Sequence, residues 1–188
     1  PAVLHEFSQK FPNISFSIHD VPNEKIIEKV QEGIFEIGIC FEPQLSHQLI
    51  FQPLFKEDFV AVVPKHHLLA QHQKITMAEL CMHPFITLQK PSIIRHVIEK
   101  YCLNNNLILD LKVECHQISS LSHFVAYGMG VTAIPRHFQQ CIDVEQNSIL
   151  EISEGNVSLE FGILYRKDFE LSNMSQQFIE LIGQHHFS

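Results

Sequence analysis

The 188-residue sequence lacks several features that mark large classes of proteins. It has no excess of positive charge, since its formal net charge is −8, so it offers no basic stripe to neutralise nucleic-acid phosphates. No apolar run approaches the roughly 20 residues of a membrane-spanning helix. The five cysteines include no CxxC pair, so neither a disulfide framework nor a zinc ribbon is predicted. We therefore expect a reduced, cytoplasmic protein that contacts no membrane and binds nucleic acid weakly, if at all, through this chain.

Motifs of catalysis and metal binding are also missing. Thirteen histidines are many for this length, but none stands in an HExxH motif or at finger-like spacing from a cysteine. No GxSxG nucleophile elbow occurs, and Cys102 and Cys115 lie in apolar periodic stretches where a cysteine is usually inert. We expect no metal site, no cofactor and no catalytic turnover.

Residues 118–135, ISSLSHFVAYGMGVTAIP, contain two glycines one residue apart. Apolar residues recur at helical spacing before the glycines and a β-branched run follows them, so the order is helix, GxG, strand. A dinucleotide-binding fingerprint needs the reverse order and a third glycine. The sequence instead predicts that Gly128 ends the helix with a positive φ angle and that Gly130 allows close packing at the start of the strand.

Predicted strands and helices alternate along the chain. Apolar runs predict strands at ISFSIHD, FEIGICF, DFVAVVP, FITL, LDLKVEC, VTAI and LEFGILYR. Amphipathic stripes predict the intervening helices, one of them with Asn23 as its N-cap and Gly33 at its end, and another behind a Thr76–Glu79 capping box. Such alternation predicts right-handed βαβ crossovers and a mainly parallel α/β sheet.

Polar loops follow several of the predicted strands, at Asn23 and at residues 41–44, 89–92 and 117–120. In an open α/β sheet, ligands gather beyond the carboxyl ends of strands, where helix N-termini offer unpaired N–H groups and partial positive charge. Taken singly, each of these serines or asparagines is better explained as a cap of its own helix. Their coincidence in several loops favours a binding site, and for each residue both interpretations stay open.

Five segments, PAVLHEFSQKFPNISFSI, KVQEGIFEIGIC, QPLFKEDFVAVVPKHHLLA, MAELCMHPFITL and FVAYGMGVTAIP, together resemble the effector-binding domain of LysR-type transcriptional regulators. The resemblance runs from Pro1 to about Phe187. It implies an α/β fold of two Rossmann-like lobes joined by two crossover segments, as in periplasmic binding proteins. Residues 1–65 and 160–188 would form lobe one and residues 66–159 lobe two, with crossings near residues 63–69 and 156–161.

The resemblance also implies a function. An inducer would bind between the lobes and transmit a conformational change to an N-terminal winged helix-turn-helix domain, through which alone a homodimer or homotetramer would bind DNA. Because the sequence begins inside a predicted helix and without methionine, we expect that domain, and the first strand of lobe one, to precede Pro1. The alternative is a solute-binding protein or an enzyme on the same two-lobed architecture.

We predict that the inducer is a small organic anion, held mainly by helix N-termini at Ser92 and Ser119. Serine hydroxyls and the Asn23 amide would donate hydrogen bonds, and Phe41, Ile93 and Pro135 would line an apolar part suited to an aromatic or unsaturated carboxylate. The predicted effector-binding residues are Asn23, Phe41, Gln89, Ser92, Ile93, Ser119, Ser120 and Pro135.

One branch of the resembled family senses peroxide through a cysteine pair around the helix that follows Ser92. In this sequence Cys102 matches one member of that pair, but Ile93 stands at the other position. The resemblance therefore does not extend to a redox switch at those two positions.

Overall fold

The computed structural model describes residues 2–43, 47–153 and 157–185. The chain divides into two compact units: unit 1 comprises Pro1–Phe55 and Glu160–Ser188, and unit 2 comprises Lys56–Leu159. The first passage therefore falls after residue 55, whereas the sequence predicted it after residue 65. The difference arises because one long strand carries the chain through this passage, so no loop marks the boundary. Residues 44 and 156, which belong to a predicted loop and a predicted crossing, lie outside the described residues.

Six helices and eight strands make up the described fold. In chain order they are α1 (Ala2–Lys10), α2 (Asn23–Gln31), β1 (Ile37–Phe41), β2 (Leu49–Pro64), β3 (Lys74–Ile75), α3 (Met77–Cys81), β4 (Phe85–Leu88), α4 (Ile93–Asn104), β5 (Leu111–Cys115), α5 (Ile118–Ala126), β6 (Thr132–Pro135), β7 (Asn147–Ile152), β8 (Ser158–Arg166) and α6 (Asn173–Gln184). Short 3₁₀ helices span Leu68–Gln71 and Arg136–Cys141.

Unit 1 is built on β1, β8 and the first part of β2. Strand β1 runs antiparallel to β8, with Ile37 opposite Tyr165 and Phe41 opposite Phe161. The apolar stripe of α2 buries Val30 against Cys40 of β1 and Leu164 of β8. On α6, Ile179 and Ile182 pack with Ile163 in a second cluster. The strands thus present apolar side chains to helices, as their composition predicts.

Unit 2 contains the parallel strands that position the candidate site. Strands β4 and β5 are parallel neighbours, and a parallel bridge between Phe85 and Val131 joins β4 to the segment that enters β6. Strand β6 runs antiparallel to β2, which pairs with β7 in the same sense, and β7 is parallel to the short β3. Helices α4 and α5 follow directly after β4 and β5. Strands β3 to β7 therefore all run in one direction, opposite to β2, and the neighbouring strands β4, β5 and β6 have their carboxyl ends at one edge.

The prediction of a mainly parallel sheet is wrong for the fold as described. The pairs β1–β8, β2–β6 and β2–β7 are antiparallel, and only β4–β5, β3–β7 and the Phe85–Val131 bridge are parallel. The prediction assumed that strands neighbouring in sequence would pair. In fact β8 pairs with β1 although most of the chain lies between them, and the local order of elements carries no signal for such a partner.

The predicted strand ISFSIHD is not formed. Residues 14–22 belong to no helix or strand, and Phe16 and Ile18 remain 40% and 70% exposed. A strand needs a neighbour to complete its hydrogen-bond ladder, and none of the described strands pairs with this segment. Pro53 lies inside β2, and β3 and β7 were not predicted from the sequence.

The GMG segment connects α5 to β6 as predicted. Gly128 has a φ of +73° and donates its N–H to the Val125 carbonyl at 2.8 Å, which ends the helix. A Cβ atom at Gly130 would collide with the carbonyl oxygen of Pro84. That same oxygen accepts a hydrogen bond from the Val131 N–H at 2.8 Å. Both glycine predictions are confirmed: one supplies the positive φ and the other the close approach of two backbones.

Candidate functional site

Six of the predicted site residues lie at the carboxyl ends of three parallel strands in unit 2. Leu88, which ends β4, is opposite Cys115, which ends β5, and the Gln89 N–H donates to the Cys115 carbonyl at 2.8 Å. Strand β6 ends at Pro135 and runs in the same direction as β4. The residues that follow these strand ends, or form them, are Gln89, Ser92, Ile93, Ser119, Ser120 and Pro135.

Helix α4 begins at this edge with Ser92 in the N-cap position. The Ser92 backbone is extended, and its carbonyl accepts the first intrahelical bond from the His96 N–H at 2.9 Å. Its hydroxyl, however, makes no capping bond, and no hydrogen bond to it occurs within the described residues. The hydroxyl of a serine in the N-cap position normally accepts from the N–H groups that follow. The Ser92 side chain is half-buried, and its hydroxyl makes no hydrogen bond to the described residues.

Helix α5 begins earlier than the predicted start at Ser119. Gln117 occupies the N-cap with an extended backbone, and the first intrahelical bond runs from the Leu121 N–H to the Gln117 carbonyl at 3.2 Å. Ser119 and Ser120 are therefore the second and third residues of the first turn, and neither caps the helix. Backbone N–H groups in a first turn have no intrahelical acceptor. In α5, residues 118–120 present them at the edge of the sheet.

Arg95 is a functional candidate that sequence reasoning missed. It lies in the first turn of α4 with only 6% of its surface exposed. Its Nε donates to Glu99 at 2.6 Å, and its Nη1 donates to Glu114 at 2.7 Å and to the Leu88 carbonyl at 3.3 Å. Arg95 thus ties α4 to the ends of β4 and β5. The i, i+4 spacing of Arg95 and Glu99 was the available signal.

The charge on Arg95 is fully matched by its partners. Burial opposes the charged form, but the hydrogen bonds from Arg95 to Glu114 and Glu99 outweigh burial and raise the pKa of Arg95 above its ordinary value. One guanidinium thus faces two carboxylates. This cluster positions the helix and offers no free positive charge to a ligand.

The two predicted residues of unit 1 are bonded to each other. The Phe41 N–H donates to the Asn23 side-chain oxygen at 2.8 Å, and the Asn23 amide donates to the Phe41 carbonyl at 3.5 Å. The predicted capping role of Asn23 is wrong, because Pro22 holds the N-cap position and Asn23 is the first residue of α2. The side chain instead joins the start of α2 to the end of β1. The Phe41 ring meets Phe161 edge-on at 5.3 Å between centroids.

Neither of two surface cavities found in the described residues coincides with the predicted site. A cavity of about 470 Å³ in unit 2 is lined by residues that include Lys65, His72 and Glu151. A second, of about 260 Å³ in unit 1, is lined by residues that include Gly33 and Arg166. The candidate site in unit 2 rests on helix starts and strand ends, and not on either cavity.

Two further classes of site were sought in the described part of the chain. It contains no group of three or more histidine, cysteine, aspartate or glutamate side chains placed to hold a metal ion. None of its helices is both long enough and apolar enough to cross a membrane.

Two α/β units joined by two passages of the chain, with helix starts grouped at the ends of parallel strands, define a ligand-binding domain of the periplasmic-binding-protein-like class. The family model of the LysR substrate binding domain matches residues 1–186. The chain belongs to this family, the ligand-sensing regulatory domain of LysR-type regulators. This is a family of transcriptional regulators and not a class of enzymes.

Among curated relatives, the uncharacterized HTH-type transcriptional regulator YwbI of Bacillus subtilis is 25% identical over 182 residues, which cover 96% of this chain and 60% of YwbI. The chain thus spans about 60% of the length of that relative. Two solved structures share the fold. The effector binding domain of QuiR in complex with shikimate has a TM-score of 0.86 at 20% identity, with 97% of this chain and 87% of that one covered. The BenM effector binding domain with its effector benzoate has a TM-score of 0.84 at 20% identity, with 98% and 84% covered.

Proposed function

We propose that this domain binds a small organic carboxylate at the strand ends of unit 2 and that binding alters DNA recognition by a longer regulator. The observation that carries the proposal is the register of β4 with β5. Because Leu88 and Cys115 are paired, the starts of α4 and α5 follow from adjacent strand ends. Two neighbouring helix N-termini supply unpaired N–H donors and partial positive charge, which suit an anion.

The hydroxyl groups at these helix starts strengthen the proposal. A serine that only capped its helix would spend its hydroxyl on a backbone N–H. Ser92 makes no such bond, and Ser119 and Ser120 are not in a capping position. Within the described part of the chain these three hydroxyl groups therefore make no capping bond, and we propose that they bond to the ligand.

The neighbours in the fold suggest the chemistry of the ligand. QuiR is solved with shikimate and BenM with benzoate, both of which are carboxylates with an unsaturated ring. In this chain the half-buried Ile93 lies at the same edge as the serines and offers apolar surface, and the buried Pro135 ends β6 at that edge. We therefore propose an unsaturated or aromatic carboxylate as the inducer class.

The residues of unit 1 take a different role from the one predicted. Both hydrogen-bonding ends of the Asn23 amide are engaged with the Phe41 backbone. We propose that the Asn23 side chain holds Phe41 in place. We also propose that the Phe41 ring, and not the Asn23 amide, contacts the ligand. A variant of Phe41 tests this role.

The experiment is titration calorimetry with benzoate, shikimate and a saturated ring carboxylate as probes. Ser92→Ala and Ser119→Ala should weaken binding of the preferred probe by about tenfold or more, the loss expected for one hydrogen bond to a charged ligand. Neither change should lower the melting temperature appreciably, because neither hydroxyl caps a helix. Phe41→Ala should weaken binding of aromatic probes more than that of the saturated probe.

Ser172→Ala is the matched control. The Ser172 hydroxyl accepts a true capping bond from the Ser175 N–H at 3.2 Å, at the start of α6. Its removal should lower stability and leave ligand affinity unchanged. If instead Ser92→Ala and Ser119→Ala melt lower while binding every probe as tightly as the unaltered chain, these serines are structural and the proposed site is wrong.

Three further proposals follow from membership of the family. We propose that the domain has no catalytic turnover, that it works in the cytoplasm, a reducing compartment that suits a chain whose five cysteines form no disulfide bond, and that it associates as a dimer or tetramer. Light scattering at about 100 μM, well above the micromolar affinity of a modest specific interface, should show at least a dimer, and a monomer at that concentration would contradict the proposal.

A further inference from the structure

Two of the five cysteines are in contact in unit 2. Cys81 is the last residue of α3 and Cys102 lies near the end of α4, and their sulfur atoms are 3.7 Å apart. Both are free thiols. The other three have different surroundings: Cys40 is buried, Cys115 faces backbone carbonyl oxygens, and Cys141 is exposed. Within the described residues, only Cys81 and Cys102 have their sulfur atoms in contact with each other.

The contact is accessible from one side. Cys81 is half-buried, whereas Cys102 is 3% exposed. Their chain neighbours Met82 and Leu103 are 79% and 77% exposed, so the pair lies just beneath the surface. A small oxidant can therefore reach the Cys81 sulfur, while Cys102 is protected and can react only with Cys81.

The two thiols also differ in acidity in the direction that this order requires. A hydrogen bond from the Cys102 thiol lowers the pKa of Cys81 below its ordinary value. The same interaction, together with burial, raises the pKa of Cys102. By contrast, burial alone raises the pKa of Cys40 to about 12. Because the thiolate is the reactive form, Cys81 is the more nucleophilic member of the pair.

We propose that Cys81 and Cys102 form a dithiol that a low-molecular-weight disulfide oxidises to an intramolecular disulfide joining α3 to α4. In the first step the Cys81 thiolate attacks one sulfur of the small disulfide, forms a mixed disulfide and releases one small thiolate. In the second step Cys102 loses its proton and attacks the Cys81 sulfur, which releases the second small thiolate. The two protein sulfurs lose two electrons and the small disulfide gains them.

The geometry suits the second step. A disulfide bond of about 2.05 Å requires the two sulfurs to move about 1.6 Å closer than they are now, which rotation of two side chains and a small shift of α3 can supply. The bond would close a loop over residues 82–101, which contains β4 and most of α4. The inference does not depend on the proposed ligand, since it concerns only the two thiols.

The test treats the 188-residue chain with oxidised and reduced glutathione at several ratios, then blocks free thiols and maps peptides without reduction. Trypsin places Cys81 in residues 75–95 and Cys102 in residues 101–112, because the bond before Pro91 resists cleavage. The expected product is one linked pair of these two peptides with no retained glutathione. The oxidised chain should also melt at a higher temperature than the reduced chain, because the link restricts the unfolded state.

Variants separate this outcome from general thiol oxidation. Cys102→Ala should leave glutathione attached to Cys81, and Cys81→Ser should remove both the link and the adduct while Cys102 stays reduced. Cys141→Ser is the matched control, since it removes the exposed thiol and should leave the link unchanged. Retention of glutathione on Cys81 in the unaltered chain, or links that join other cysteines instead, would overturn the proposal.

Discussion

Replacing Arg95 with methionine should destabilise unit 2 more than any change of a surface arginine. Methionine keeps an apolar stem of similar length inside the helix packing but removes three hydrogen bonds, those to Glu99, Glu114 and the Leu88 carbonyl. The guanidinium is buried, with 8% of its side chain exposed, whereas the carboxylates are 33% and 45% exposed. The two carboxylates and the Leu88 carbonyl therefore lose different amounts of stabilisation when the guanidinium is removed.

The magnitude follows from what each partner can recover. The two carboxylates regain water when the guanidinium is removed, so each ion pair should cost about 1 kcal/mol and not the 3–5 kcal/mol of a fully buried pair. The Leu88 carbonyl loses its side-chain donor in a buried setting, which adds about 1 kcal/mol. We expect Arg95→Met to lower the free energy of unfolding by about 2–3 kcal/mol, or roughly 5–10 °C in melting temperature for a chain of this size.

Urea unfolding of the ligand-free chain measures this effect as a shift in midpoint at an unchanged slope. Arg136→Met is the matched control, because Arg136 donates two hydrogen bonds to Glu151 but both side chains are largely exposed, at 41% and 51%. That exposed pair should contribute less than about 1 kcal/mol and should weaken in high salt. If Arg95→Met is as stable as the unaltered chain, or no worse than Arg136→Met, the account of Arg95 as a buried tie is wrong.

Three other predictions concern stability. Burial, with smaller contributions from nearby His83 and His66, lowers the pKa of His67 below 6.5. The unfolded chain therefore binds a proton that the folded chain resists, and the free energy of unfolding falls as the pH drops through about 6.5. His67→Asn should reduce this fall between about pH 7.5 and 5.5 in urea unfolding, and an unchanged fall would contradict the prediction. Thr76→Ala removes the capping-box hydroxyl of α3 and should cost about 1 kcal/mol by the same assay, whereas no loss would mean that the cap is dispensable. In Gly130→Ala the new Cβ atom meets a backbone oxygen, so the change should cost about 3 kcal/mol or more in thermal unfolding. Gly128→Ala strains only the positive φ angle and should cost about 1–2 kcal/mol. The reverse order of the two losses would refute the roles assigned to these glycines.

Local signals in the sequence were sufficient for the elements that carry the unit 2 site. The apolar run FITL and the alternating LDLKVEC became β4 and β5, and the Thr76 capping box formed as predicted. Each of these depends on neighbouring residues, whose types report directly on capping, burial and period. The position of the predicted serines at one edge of the sheet could be predicted because β4 and β5 are parallel and a helix comes after each of them.

Long-range features were beyond such signals. The segment ISFSIHD has the alternation of a strand, yet it forms none, because pairing depends on a partner that local sequence does not name. Arg95 was assigned no role from the sequence, and only the fold reveals that Glu114, from the next strand, lies beside it. The Asn23 side chain was read as a cap because asparagine favours that role, whereas it bonds to Phe41, 18 residues away.

The neutralised cluster around Arg95 bears on how fast a ligand arrives. An anion that approaches the start of α4 meets one guanidinium already matched by two carboxylates, on a chain whose formal net charge is −8. Long-range attraction therefore does not draw it in, and the donors of the proposed site act only at contact distance. The net charge of −8 repels an anion at long range, so its association at the proposed site should quicken as salt screens that charge. Discrimination between carboxylates should then reside in how long each one stays bound.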